Sequence, residues 1–436
     1  MSERPLAGRR RSYQITLLVV AVAAAGFNLR TAITSLPPLF PELAARLHLS
    51  SATLSLLATT PVLCFGVVSA FAPLINRRWG EERSLLIALT VLTAGLLLRG
   101  AAPSTMLFPG TVLAASAIAV MNVLLSSMVK RRWPQRAGLL VGIYLTTLSV
   151  GAIGSSLLSV PLYQASGGSI PLALGIWAGP AAVAVLLWLP QLRYRVLGAT
   201  RPAAPAGTAS VAAAGPAPAR IKLYRYALTW QVTAFFGLQS LLYYAALSWL
   251  PTIFRDRGAS PVAAGNLLAL MGVGNLTTSL LVPVLAHRSP GQRALVVPSL
   301  IGTAVGLAGA LWAPLGTAPL WVLVLGVSQG SCLGLAIFFT MARAPDPGTA
   351  ASLSGFAQSV GYLVAAAGPL EVGLLHSATG SWNIPMALLL VLAACELAVG
   401  LMAARPLVLP HGGSGGHGET GSPPVRGGLR GVAPPG

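Results

Sequence analysis

Apolar residues run along this chain in blocks of about twenty, separated by short polar and basic connections. That length matches a bilayer, since a helix rises about 1.5 Å per residue and the hydrocarbon core is roughly 30 Å thick. Windows of about 19 residues mark the candidate spans. Six lie in the first half, at 14–36, 52–75, 84–101, 104–128, 137–161 and 170–190. Six more follow, at 226–250, 261–285, 293–313, 318–341, 349–374 and 382–404. Each is predicted to be an α-helix, because an open-ended segment in lipid satisfies its backbone hydrogen bonds in no other way. The start, Gly8-Arg9-Arg10-Arg11 followed by an apolar run and Ala23-Ala24-Ala25, has the outline of a cleavable signal peptide. The run outlasts a signal core and further spans follow it, so it is read as span one.

Composition points the same way. The chain is 55% hydrophobic and 8% charged, where a soluble domain carries roughly 25% charged residues. A net charge of +19 would suggest a nucleic-acid partner in a soluble protein. Here the basic residues occupy the connections between spans. Placing the amino terminus in the cytoplasm assigns 23 of the 28 Lys+Arg to the inner side, leaves Arg46, Arg99, Arg255 and Arg257 outside, and puts Arg30 within span one. This asymmetry predicts a multi-pass protein of the cytoplasmic (inner) membrane, with both termini cytoplasmic, the lipid bilayer as its surroundings and no nucleic acid. Arg99, at the end of span three, is expected to snorkel to the interface.

The expected organisation is a cytoplasmic segment at 1–13, a six-helix bundle at 14–190, a cytoplasmic Ala/Pro-rich linker at 191–225, a second six-helix bundle at 226–404 and a disordered cytoplasmic tail at 405–436. An internal repeat supports the two halves. Met128-x-Lys130-x3-Pro134-x2-Ala137-x2-Leu140-x-Gly142 recurs as Met341-x-Arg343-x3-Pro347-x2-Ala350-x2-Leu353-x-Gly355, at an offset of 213 residues. Pro73-x4-Arg78-x4-Arg83 recurs as Pro283-x4-Arg288-x4-Arg293, at an offset of 210. Parallel six-helix repeats are the architecture of major-facilitator carriers.

No catalytic constellation is present: no G-x-S-x-G stands at a strand-to-helix elbow, and there is no Walker G-x4-G-K-[ST], H-E-x-x-H or strand-linked G-x-G-x-x-G. An enzyme is not expected, nor a cofactor. The five histidines do not cluster, and Cys64, Cys332 and Cys395 are isolated, so no metal site or disulfide framework is expected. Without a nucleotide-binding domain, active transport must draw on an ion or solute gradient.

Polar residues at membrane depth carry the chemistry, because a charge there is costly unless paired or wetted. Arg30, in the outer half of span one with Thr34 a turn further on the same face, is positioned to meet an anionic solute. The alternatives are snorkelling or an ion pair with a distant carboxylate. Glu371 and Glu396 are the carboxylates within apolar segments and the candidates for proton coupling. Gln239 with Tyr243, and Gln358 with Tyr362, stand four residues apart on one helix face, where amide and phenol can bind a small polar solute or join helices. Asn28, Asn122 and Tyr144 are further polar residues within spans.

Several stretches carry a family likeness. Asn28-Leu29-Arg30-x-Ala32, Pro61-Val62-Leu63-Cys64-Phe65-Gly66, Asn122-Val123-Leu124-Leu125 with Val129-Lys130-Arg131, Phe235 to Tyr244, and Ala357-Gln358-Ser359-Val360-Gly361-Tyr362 together resemble the cyanate porter family of the major facilitator superfamily, which includes cyanate and nitroimidazole transporters. The resemblance implies an all-α carrier of twelve transmembrane helices in two six-helix repeats around a central cavity, working by alternating access. It also implies that Asn28, Arg30, Asn122, Tyr144, Gln239, Tyr243, Gln358 and Tyr362 approach that cavity. The superfamily loop pattern G-x3-D-R-x-G-R-R is altered here to Pro73-x3-Arg77-Arg78-x-Gly80-Glu81-Glu82.

The expected function is secondary active transport of a small solute, a cyanate-like anion if Arg30 is unpaired, with protons as the coupling ion. If Arg30 is neutralised, the alternative is export of a neutral nitroimidazole-like or drug-like heterocycle. From another class, a non-transporting membrane receptor is set against the two-half repeat. A monomer is expected.

Overall fold

The computed structural model describes residues 4–132, 137–198, 222–289 and 291–410, and every regular element among them is helical. Span one is α1 (Arg4–Thr34), followed by a 3-10 turn at Pro37–Leu39 and the short α2 (Phe40–Leu47). Span two is α3 (Ser51–Val68) continued by α4 (Ala72–Trp79). Spans three to five are α5 (Glu81–Ala101), α6 (Pro103–Arg132) and α7 (Ala137–Ala165), and span six is α8 (Ile170–Gly175) with α9 (Ala178–Gly198). The second half comprises α10 (Ala227–Asp256), α11 (Pro261–Arg288), α12 (Arg293–Trp312) and α13 (Ala318–Ala342), then α14 (Pro347–Ala365) with α15 (Ala367–Thr379) as span eleven, and α16 (Asn383–Ala403). The end of the bundle nearest both termini is called the terminal end below, and the opposite one the distal end.

Eleven of these spans are long and apolar enough to cross a membrane. The remaining one, α10, has the length at 30 residues, but Trp230, Gln231, Gln239, Tyr243, Tyr244 and Trp249 dilute its hydropathy. Its packing explains why. α10 is enclosed by α11, α13, α14, α15 and α16, so it presents little surface to lipid and can carry polar and aromatic groups inward.

Helix starts follow local chemistry. Ser50, Ser260 and Asp346 cap α3, α11 and α14 by accepting backbone N–H bonds from the first turn, and Pro261 and Pro347 occupy positions whose N–H has no helical partner. Two boundaries differ from expectation. α9 continues to Gly198, so Arg193 and Arg195 extend a helix instead of opening the linker. At the carboxyl side, Leu409 is buried and its N–H donates to the Arg343 carbonyl at 2.9 Å, which docks 405–410 against the bundle. The Ala/Pro tract and the tail beyond 410 lie outside the described residues.

Small residues let helices approach closely where no hydrophobic force separates protein from lipid. A Cβ on Gly95 of α5 would lie 2.7 Å from the Gly110 carbonyl and 2.8 Å from the Ala114 nitrogen of α6. The halves meet along α3 with α14 and α15, along α7 with α11, and where the Pro37–Leu39 turn touches α10. Many of these contacts are distal. Glu42 pairs with Arg255 at 2.7 Å, Phe40 packs on Trp249 with centroids 5.8 Å apart, and Gly265 lies under the Ser156 carbonyl.

Arg99 corrects the sequence expectation. It is fully buried, and donates to the Ala32 carbonyl at 2.9 Å and to Ser35 Oγ at 3.4 Å. The reason is that α1 stops at Thr34, leaving terminal carbonyls without intrahelical donors, and the guanidinium caps one of them. Arg257 caps α12 through the Ala310 and Ala313 carbonyls, and Arg343 caps α16 through Ala403 at 3.0 Å.

Two outcomes follow from this packing. Gly95→Leu drives a side chain into α6 backbone and is expected to destabilise the protein by at least about 1–3 kcal/mol, read as a lowered Tm in detergent. Glu42→Gln removes a cross-half pair of the kind worth about 0.2–1 kcal/mol. Labelling of a Ser55→Cys reporter by a membrane-impermeant thiol reagent from the distal side should rise by up to about fivefold.

Candidate functional site at the centre of the bundle

Arg30 projects from α1 toward Tyr243 and Tyr244 of α10. Its Nη1 donates to Tyr244 Oη at 2.9 Å, and its guanidinium carbon lies 5.4 Å from the Tyr244 ring centroid and 5.7 Å from that of Tyr243. α1 belongs to the first half and α10 to the second, so this bond crosses between them. Thr34 does not share the arrangement: its hydroxyl bonds the Arg30 carbonyl at 2.9 Å and Ser155 of α7 at 2.6 Å.

Aromatic rings surround the cation. Tyr243 and Tyr244 pack edge to face with centroids 5.3 Å apart, and Tyr244 lies 6.3 Å from Tyr362 of α14. Phe65 of α3 stands 5.6 Å from Tyr362 and 6.5 Å from Tyr244, and Phe236 closes on Tyr362 at 5.3 Å. Tyr144 of α7 is within electrostatic range of Arg30 and donates its hydroxyl to Asn122 Oδ1 at 2.9 Å. Ring faces carry negative quadrupole charge, so these tyrosines soften the cost of a cation here without neutralising it.

Neither alternative for Arg30 is observed. It does not reach the bundle's rim, and among the described residues its side chain pairs with no carboxylate. A guanidinium has five N–H donors. One meets Tyr244, and Arg30 is only half-buried, so the remaining donors face space that water can enter. Asn122, Tyr243 and Tyr362 are likewise half-buried.

Other predicted residues lie elsewhere. Asn28 is buried and turns its amide to the carbonyls of Ala24 and Pro180, at 2.9 and 3.1 Å, joining α1 to α9. Gln239 is buried inside the second half, 3.5 Å from Gln329 Oε1 on α13, and does not meet Tyr243's neighbours. Gln358 is exposed one turn toward the terminal end from Tyr362 and donates to Ser354 Oγ at 2.8 Å. Glu371 is exposed on α15, whereas Glu396 is fully buried on α16.

Sequence spacing missed Tyr244, Phe65 and Phe236. Tyr244 follows Tyr243 directly, about 100° round the helix, and a search for polar pairs at i, i+4 picks out Tyr243 with Gln239 and passes over Tyr244, which bonds Arg30. Phe65 stood inside a quoted motif, but an isolated apolar ring in an apolar span gives no polar signal.

Comparisons with known proteins agree with this architecture. Residues 16–369 match the family described as Major Facilitator Superfamily. A 2-nitroimidazole transporter of Escherichia coli strain K12 is 34% identical over 92% of this chain and 97% of its own length. The cyanate transport protein CynX of the same strain is 29% identical over 84% of this chain and 91% of its own. In fold, the chain resembles the crystal structure of a bacterial homologue of the human lysosomal transporter Spinster, in an inward-facing and unoccupied conformation, with a TM-score of 0.69 at 18% identity, covering 91% of this chain and 97% of that one. The chain is therefore a multi-pass membrane transporter, not an enzyme, and belongs to the major facilitator superfamily.

Proposed function

We propose that this chain is a secondary carrier of a small anion of the cyanate type, with Arg30 as the charge that binds it and protons as the coupling ion. The observation that carries the reading is the guanidinium itself: half-buried, facing enterable space and paired with no carboxylate. An anion supplies the missing countercharge through short, charge-assisted bonds. Tyr144, Tyr243, Tyr244 and Tyr362 complete the site around it, and Asn122 and Gln358 line its approaches. Asn28 and Gln239 act at one remove, by holding α1 against α9 and α10 against α13.

The reading includes alternating access, which the Arg30–Tyr244 bond between the halves supports. An anion on Arg30 competes for the donor that Tyr244 now accepts from, and so loosens a bond between the halves. A solute shifts such an equilibrium only by its differential affinity for the two states, and this bond differs between them. With both termini in the cytoplasm, as the positive-inside asymmetry supports, the distal end faces outward and the Glu42–Arg255 pair holds the outer side shut. The membrane is then the cytoplasmic one.

One observation favours a second reading. Five rings, those of Tyr243, Tyr244, Tyr362, Phe65 and Phe236, meet edge to face near the site, which suits a flat, neutral heterocycle, and the nitroimidazole transporter is a relative in sequence.

Uptake into proteoliposomes separates the two. Arg30→Ala is expected to lower cyanate transport by about 10- to 100-fold, the value of one or two charge-assisted bonds, with a normal elution profile and melting curve. Arg30→Lys should recover only part, since an ammonium cannot fork. Unchanged cyanate uptake in Arg30→Ala, or transport of 2-nitroimidazole alone, would reject the anion reading.

A further inference from the structure

The second half contains a carboxyl group that its own packing leaves unanswered. Glu396, on α16, has no exposed surface, and among the described residues its oxygens meet only the weak donor of the Cys332 thiol. The thiol of Cys332, on α13, lies beside it, and Thr303 of α12 lies beside that thiol. From there a line of buried polar groups climbs toward the Arg30 cluster. Gln329 Nε2 is 3.4 Å from Thr303 Oγ1, Gln239 Nε2 is 3.5 Å from Gln329 Oε1, and Ser240 Oγ donates to Gln239 Oε1 at 3.2 Å. Gln239 is one helical turn from Tyr243, which carries Arg30 on its ring.

Most charged groups on the surrounding elements stand at helix ends. α10 carries Arg255 and Asp256 distally, α12 carries Arg293 at its start, and α15 carries His376 in its last turn and Glu371, which is exposed, nearer its middle. Arg343, after α13, bonds the Ala403 carbonyl, seven residues and about 10 Å along α16 from Glu396. Among the described residues, the Cys332 thiol is the buried titratable group beside it, and Cys395, the preceding residue on α16, is exposed. A carboxylate serving as glue between helices would have partners, and an apolar residue would fill this place at lower cost, since an unpaired buried charge is strongly unfavourable.

We propose that Glu396 is the proton-binding site of the transport cycle, loaded as the neutral acid in the state described here. The line through Cys332, Thr303, Gln329 and Gln239 connects it mechanically to the anion site. In the alternate state, movement of α10 separates Gln239 from Gln329 and admits water along that line. The carboxylate then becomes hydrated, and its proton leaves to the opposite side. No covalent bond changes; one proton binds to and leaves one oxygen. The inference rests on the carrier reading above, with solute and proton held in different places.

The test compares wild type, Glu396→Gln and Arg30→Ala in proteoliposomes, with radiolabelled cyanate and benzoate as probes and an internal pH dye. Glu396→Gln is expected to keep solute exchange within about twofold, because exchange moves no net proton, and to lose both accumulation driven by a pH gradient and solute-linked proton entry. Arg30→Ala should lose all of these, exchange included. Retained gradient-driven accumulation in Glu396→Gln would overturn the proposal, as would loss of exchange in a variant that melts and elutes normally. Wild-type transport without any proton entry would overturn it too. Failure of the wild type to move either probe would count against the anion reading itself. In that case solute-free proton uptake by the purified protein, present in wild type and absent in Glu396→Gln, decides on Glu396.

Discussion

The arrangement of the bundle centre turns on a cation without an anion. Arg30 enters a space walled by helices from both halves, and the protein answers it with a phenol oxygen and ring faces in place of a carboxylate. Ring faces and one hydroxyl make the charge tolerable; they do not cancel it. In the proposed reading, that imbalance keeps the site receptive to an anion. α10 is built of residues that lower its hydropathy and have partners inside the bundle: Tyr243 and Tyr244 face Arg30, Gln239 faces Gln329 of α13 and accepts from Ser240, and Trp249 donates to the Pro369 carbonyl at 2.9 Å.

Away from the centre, charge has been spent on helix ends. Arg99, Arg257 and Arg343 each place a guanidinium on carbonyls that a terminating helix leaves open. Two of these, Arg99 and Arg257, belong to the few bases that the topology leaves on the distal side. Their presence there costs the positive-inside asymmetry little and stabilises α1 and α12. Close glycine contacts bring helices together, within the halves as at Gly95 with Gly110 and between them as at Gly265 with Ser156.

The spans were legible in the sequence because lipid imposes a length and a composition on each, and most begin and end close to where apolar content changes. The subtler boundaries were not. Nothing in composition distinguishes Arg193 and Arg195 as a helical extension from the start of a linker, since basic residues suit both. At the site, Arg30 stood out because a charge within a span is rare, Tyr243 and Tyr362 because each stands four residues from a glutamine on one helix face, and Tyr144 as a polar residue within a span. Asn28 and Gln239 carried the same signal yet turn to neighbouring helices, since polar groups in membranes serve as interhelical ties as readily as ligands. Helix rotation decides between these roles, and a shift of one residue, as between Tyr243 and Tyr244, exchanges one for the other.

The central claim is that Arg30 lacks a countercharge which a solute supplies. Ligand-dependent melting of the detergent-purified protein measures this without transport, since a ligand of the folded state adds about 2.7 kcal/mol of stability at a hundredfold excess over Kd. Cyanate is predicted to raise the Tm of wild type and to leave that of Arg30→Ala unmoved. Stabilisation by neutral 2-nitroimidazole alone, equal in both proteins, would contradict the account and reduce Arg30 to a structural cation.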